Sequence, residues 1–168
     1  MNPNMNLSSP PAISFDVRES VAETLRSVFD TMLAMTLESA AADAPAPHFA
    51  DRVTGSVGFA GESVTGAVYL HLSSVFARQV AAAMLGTTPD QVGGDGEVND
   101  VVGEVCNMLA GALKSRLCDD GVPCAISTPC IIRGTSFQIQ ALPEVRLERL
   151  AWICQDQRIA AEIHIKFS

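Results

Sequence analysis

Basic residues are scarce in this 168-residue chain: 11 Lys and Arg stand against 19 Asp and Glu, a net charge of −8. With a pI near 4.7, the chain lacks the clustered cations that neutralise nucleic-acid phosphates. An anionic membrane surface is excluded as a partner for the same reason. No apolar run approaches the roughly 18 residues of a membrane span. Met1 to Pro11 is polar and carries prolines, with neither the basic start nor the apolar stretch of a secretory leader, so the expected location is the cytoplasm. The five cysteines, Cys106, Cys118, Cys124, Cys130 and Cys154, contain no C-x-x-C pair and read as free thiols in a reducing compartment. The six-residue spacing of Cys118, Cys124 and Cys130 fits no common zinc pattern. His48, His71 and His164 share no ligand-like spacing and read as structural. No bound metal is expected.

What is present is apolar. Hydrophobic residues make up 48% of the chain and mean hydropathy is +0.23, which excludes disorder throughout. The length suits one domain with a real core. Residues 1–14 read as a flexible lead-in and 15–168 as the domain. A helix is expected from about Asp16 to Glu38, because Val17, Val21, Leu25, Val28, Met32 and Met35 recur at three- and four-residue steps. Asp16 is the expected N-cap, with Glu19 three residues on as in a capping box. Residues 39–50 are a proline-broken connector.

Strands are expected at Val53–Phe59 and Val64–Leu72, turned at Gly61-Glu62. Ser73 or Ser74 then caps a short helix through Leu85, ended by Gly86. Gly93-Gly94-Asp95-Gly96 reads as a loop. A second long helix follows from Glu97 to Leu117, closed by Asp119-Asp120-Gly121. Further strands are expected near Cys124–Arg133, Ser136–Leu142, Leu147–Gln155 and Arg158–Lys166, with a tight turn at Asp156-Gln157. Twice, a long helix is followed by strands. The expected fold is α+β: two long helices on an antiparallel-rich sheet, with pseudo-symmetric halves.

The second long helix has a polar stripe. Each helical residue turns by about 100°, so Asp100, Glu104 and Asn107 fall within a sector of roughly 60°. Val98, Val101, Val102, Val105, Leu109, Ala112 and Leu113 fall on the opposite side, and Gly103 and Gly111 lie near the stripe. The helix thus offers carboxylates and a carboxamide on a surface kept low by small residues, a shape another protein can approach closely. Asp100 and Glu104 are like charges at i, i+4, which mildly destabilises the helix. Cys106 points about 100° away from Asn107; it reads as a packing residue, with no histidine nearby in sequence to activate it.

Asp-x-x-x-Glu-x-x-Asn, with Pro129 placed 22 positions after the Asn, resembles the signature of the CheC/CheX/FliY phosphatases of bacterial chemotaxis. Gly-Glu-Val-Cys-Asn-Met-Leu-Ala-Gly at 103–111 and Ile-Ser-Thr-Pro-Cys-Ile-Ile-Arg-Gly at 126–134 are similar to the CheX subtype. The order of segments matches from about Phe15 onward. The first helix carries Glu19-Ser20-Val21-Ala22 and Glu23-Thr24-Leu25-Arg26, neither with Asn at its fourth position. One site per chain is therefore expected, as in CheX.

The resemblance implies a phosphatase acting on the phospho-aspartate of a CheY-like response regulator. It implies that Asn107 orients the attacking water and that Glu104 contacts the receiver's lysine. Asp100 then supports Glu104 or the interface. Pro129 shapes the site or is an edge-strand or bulge proline, and Gly103 and Gly111 either admit a partner or pack on a strand. The resemblance further implies a homodimer, with Mg²⁺ carried by the receiver and no cofactor on this chain. The alternative is a receiver-binding or dimerisation module of the same fold without turnover.

Overall fold

The computed structural model describes residues 12–40 and 50–168. Most of the predicted lead-in and connector, residues 1–11 and 41–49, lies outside the described residues. Of the lead-in, Ser14 donates its hydroxyl to an Asp120 carboxylate oxygen at 2.7 Å, at the far end of the second long helix.

Helix α1 runs over Val17–Leu33. Asp16 caps it, accepting the backbone N–H groups of Arg18 at 2.8 Å and Glu19 at 3.2 Å, which satisfies two of the helix's orphan donors. The helix is shorter than the predicted Asp16–Glu38. Ala34 adopts a left-handed φ of 52°, and the Met35 N–H turns back to the Phe29 carbonyl at 2.9 Å. Met32, expected on the buried face, is exposed because that face passes through Val28, Phe29 and Leu33, whereas Met35 folds under the end of the helix and is buried. Glu38–Ser39 then form a short strand, β1.

Strands β2 (Arg52–Ala60) and β3 (Val64–Ser73) form the expected hairpin. Helix α2 (Ser74–Leu85) is capped by the Ser73 hydroxyl and ended by Gly86 in the left-handed region, as the sequence indicates. A 3₁₀ turn at Pro89–Gln91 leads to helix α3, Asp95–Asp119. α3 starts two residues before the predicted Glu97, so Asp95 and Gly96 are helical rather than loop. The Glu97 carboxylate accepts the Gly93 N–H at 2.7 Å, and Asp95 and Glu97 both lie in the first turn, where the helix dipole favours negative charge.

The predicted strand Cys124–Arg133 is two pieces, β4 (Ala125–Ile126) and β5 (Cys130–Gly134). Pro129, which has no N–H to give to a ladder, lies in the break. Strands β6 (Arg146–Cys154) and β7 (Gln157–Phe167) complete the sheet. Their tight turn is Gln155-Asp156, one residue earlier than predicted, with φ of 48° and 64°, the geometry that two-residue hairpin loops favour.

The predicted strand at Ser136–Leu142 is absent. Its alternation is real, with Phe137, Ile139 and Ala141 half-buried and Ser136, Gln138 and Gln140 exposed. The segment joins no ladder, and the outer edge of β2 is already taken by β4 and β5.

All seven strands pair antiparallel in the order β1-β6-β7-β3-β2-β4, with β5 beside β4 on the same edge of β2. The order is pseudo-symmetric. β1, which follows α1, pairs with β6 from the second half; β4 and β5, which follow α3, pair with β2 from the first. One face of the sheet carries Val53, Val57, Val68, Leu70, Trp152, Ile159 and Ile163, all buried under the three helices. No helix among the described residues is long and apolar enough to cross a membrane.

Candidate functional site

The placement of α3 is set by two close contacts and one polar tether. On β2, a β-carbon at Gly55 would stand 2.9 Å from the Cys106 Cβ and 3.2 Å from the Val102 carbonyl oxygen. Only a glycine lets the helix sit this deep on the sheet. Beside α3, a β-carbon at Gly103 would stand 3.3 Å from the Pro129 Cβ and 3.8 Å from the Ile131 Cδ1. At the N-terminal end, Arg133 of β5 donates from Nε to Asn99 Oδ1 at 2.8 Å and sits 3.4 Å from the Asp95 carboxylate. Strand β5 therefore runs alongside α3, with Pro129 against Gly103 and Arg133 against the first turn.

This fixes which side of α3 faces outward. Val98, Val101, Val102, Val105, Leu109 and Leu113 are buried, as the sequence indicates. Ala112 is only half-buried, whereas Cys106 and Ala110 join the core; the buried face is rotated slightly toward them because β2 lies under Cys106. The Cys106 thiol approaches the Val68 carbonyl at 3.6 Å, and burial pushes its pKa up to about 12. It is an inert packing group.

Asp100 and Glu104 are exposed and Asn107 is half-buried. Among the described residues these three side chains have no hydrogen-bond or salt-bridge partner. Gly103 and Gly111 stand one turn before and one turn after Asn107, so at these two neighbouring positions no side chain borders its carboxamide. The two glycines differ in surroundings. Gly103 is buried under Pro129, whereas a β-carbon on Gly111 would meet nothing within 4 Å. The surface flanking Asn107 thus carries the Pro129 ring over Gly103 and nothing over Gly111.

The sequence pattern placed Asp100, Gly103, Glu104, Asn107, Gly111 and Pro129 in one region, and the structure brings them together there. Arg133 was missed as a tether, because nothing in local spacing links it to Asp95 and Asn99. Its Nη2 is buried with no hydrogen-bond partner. Among the described residues, no group of three or more His, Cys, Asp or Glu is placed to hold a metal ion.

Chemically, the stripe offers anionic acceptors for a cation and a neutral carboxamide that can accept from and donate to a water. It offers no nucleophile.

The model of the family "Chemotaxis phosphatase CheX" matches residues 53–149, which include the whole stripe and Pro129. Among solved structures, the chemotaxis protein CheX from Vibrio vulnificus is 24% identical, with a TM-score of 0.77 over 90% of this chain and 97% of that one. A CheC-like superfamily protein from Shewanella sp. PV-4 is also 24% identical, with a TM-score of 0.77 over 92% of this chain and 99% of that one. The CheX–CheY–BeF3–Mg²⁺ complex from Borrelia burgdorferi contains a chain 24% identical, with a TM-score of 0.70 over 90% of this chain and 98% of that one. At these identities the likeness is one of fold. No curated protein matches the sequence.

Proposed function

The chain belongs to the CheX family of chemotaxis phosphatases, and we propose that it hydrolyses the aspartyl phosphate of a CheY-like receiver domain. The observation that carries this reading is the stripe on α3: Asp100, Glu104 and Asn107 side by side, none engaged among the described residues, on a surface lowered by Gly111. Polar groups left unengaged on a rigid helix are free to act on a docked partner.

An acyl phosphate is already reactive, so the task is to place a water in line with phosphorus. The water oxygen bonds to phosphorus as the bond to the aspartate oxygen breaks, and the carboxylate and inorganic phosphate are released. Asn107 suits the positioning role. Its carboxamide oxygen accepts one water hydrogen without taking a full charge, and its NH₂ donates elsewhere. Glu104, three residues earlier, is placed for a charge-assisted bond to a lysine of the receiver, fixing the register of the complex. Asp100, one turn further back, extends the acidic edge of the same surface. Pro129 stiffens the wall beside Asn107. The receiver supplies the Mg²⁺, and the enzyme acts as a homodimer.

The partner class is supported by the solved complex of the Borrelia CheX with CheY. The test is phosphate release from a phosphorylated receiver with and without this chain. Acceleration that disappears in Asn107→Ala supports the reading. Docking without any acceleration would make the chain a binding module of the same fold.

A further inference from the structure

The face of the sheet turned away from the helices carries a cavity. Strand residues alternate between faces, so Thr54, His71, Ala160, Glu162 and Arg149 look away from α3. The irregular segment that begins at Thr135 crosses this face as a roof. Between roof and sheet lies a cavity of about 770 Å³, lined among others by Arg52, His71, Phe137, Gln140, Arg149 and Glu162. That volume is in the usual range of small-molecule sites, roughly 300–1,000 Å³.

His71 lies in the cavity floor and is only 2% exposed. Its Nδ1 lies 2.9 Å from the Thr54 hydroxyl, but its Nε2 is buried with no hydrogen-bond partner. An unmade bond of this kind is destabilising. When the Thr54 hydroxyl donates to Nδ1, the ring proton sits on Nε2 and makes it a donor. Arg52 lies with its guanidinium 3.7 Å from the centre of the Phe137 ring, and its Nη2 donates to the Phe137 carbonyl. Arg149 holds Glu162 through Nε at 3.2 Å. Each guanidinium keeps further N–H groups. Two guanidinium groups face one carboxylate here, a local positive excess in a chain whose net charge is −8. Burial holds His71 neutral, with a pKa of about 4.

We propose that this cavity binds a small organic anion, whose carboxylate or phosphoryl oxygens accept from the guanidinium N–H groups of Arg52 and Arg149 that Phe137 and Glu162 leave free, above the buried ring of His71. The site is separate from the α3 stripe, which lies across the sheet, and it does not depend on the phosphatase reading.

The test titrates the full chain by calorimetry with citrate and, separately, with inorganic phosphate, at ionic strength held constant with sodium chloride. The imidazole nitrogens are followed by ¹⁵N NMR. The expected result is saturable one-to-one binding of at least one anion, a displaced His71 Nε2 resonance, and binding at least tenfold weaker in Arg149→Gln, equivalent to about 1.4 kcal/mol. Citrate alone identifies a carboxylate ligand, phosphate alone a phosphoryl ligand, and both the shared oxyanion chemistry. If neither anion gives saturable heat or moves His71, the cavity holds water and the proposal fails. Binding that ignores both His71 and Arg149 also overturns it. Should Arg149→Gln not fold, the His71 resonance in the wild type decides the question alone.

Discussion

Gly103 and Pro129 touch across the groove between α3 and β5: a β-carbon on the glycine would come within 3.3 Å of the proline's own Cβ. The contact lies one helical turn from Asn107. It ties the loop that interrupts β4 and β5 to the helix that carries the polar stripe, so each is rigid because of the other.

Enlarging Gly103 tests that contact. Gly103→Ala gains helix propensity of up to about 1 kcal/mol, offset by a small displacement of Pro129, and its melting temperature stays near wild type. Gly103→Leu overpacks the groove at a cost of about 1–3 kcal/mol. Thermal melts of the pair read the difference. A Gly103→Leu protein as stable as wild type would mean that Pro129 gives way freely.

Gly111 predicts the opposite pattern. Nothing lies within 4 Å of its would-be β-carbon, so Gly111→Leu folds and melts at or slightly above the wild-type temperature, by up to about 1 kcal/mol of helix propensity. The new side chain stands one turn from Asn107, in the space a receiver must enter. Titration against a phosphate-mimic receiver is expected to show weakened docking by the stable variant. Unchanged docking would place the contact surface elsewhere.

Asn107→Ala and Glu104→Ala separate chemistry from docking. Loss of the carboxamide leaves the fold and docking nearly intact and lowers turnover by about 10²-fold or more. Loss of Glu104 weakens docking more than loss of Asn107 does, by on the order of 1.5–3 kcal/mol for a charge-assisted bond. Receiver affinity and phosphate release, measured on both variants beside a thermal melt, give the answer. A normally melting Asn107→Ala protein with wild-type turnover would remove the centre of the phosphatase reading.

His71 makes stability depend on pH. Burial lowers its pKa from 6.5 to about 4, so the unfolded chain binds this proton more readily than the folded one. The contribution is fully present above pH 6.5 and is lost as pH falls toward 4, in total on the order of 3 kcal/mol. Wild type is expected to lose stability between pH 7 and pH 4.5 more steeply than His71→Gln, which has no proton to take up. Parallel curves for the two proteins would show that His71 does not titrate as its burial requires.

Much of this architecture was legible in the sequence because burial imposes a period. The α3 stripe followed from the helical repeat, and β2, β3, β6 and β7 from alternation with turn residues between them. What was not legible depends on partners distant in sequence. Nothing local stops α1 at Leu33; Ala34 takes a left-handed φ because Glu38 and Ser39 must reach Ile153 and Trp152 of β6. Ser136–Leu142 has the alternation of a strand, but alternation records which side is covered and not whether a ladder partner exists. Arg133 tethers α3 through residues more than 30 positions away. His71 and His164 were read as structural for want of ligand spacing, and both are buried; that His71 shares a cavity with groups from three other strands and the roof is a proximity that only the folded sheet creates.

The exchange of strands between the two halves has a consequence for how the chain can be divided. β4 and β5 belong by sequence to the second half but form the outer edge of the first, and nine residue pairs join β3 to β7 across the middle. Neither half owns a complete sheet. A cut in the exposed Thr88–Asp90 segment between α2 and α3 is expected to yield two fragments that are each unstructured alone and recover the native circular dichroism when mixed. The molecule behaves, in effect, as an obligate heterodimer whose subunits happen to be covalently joined.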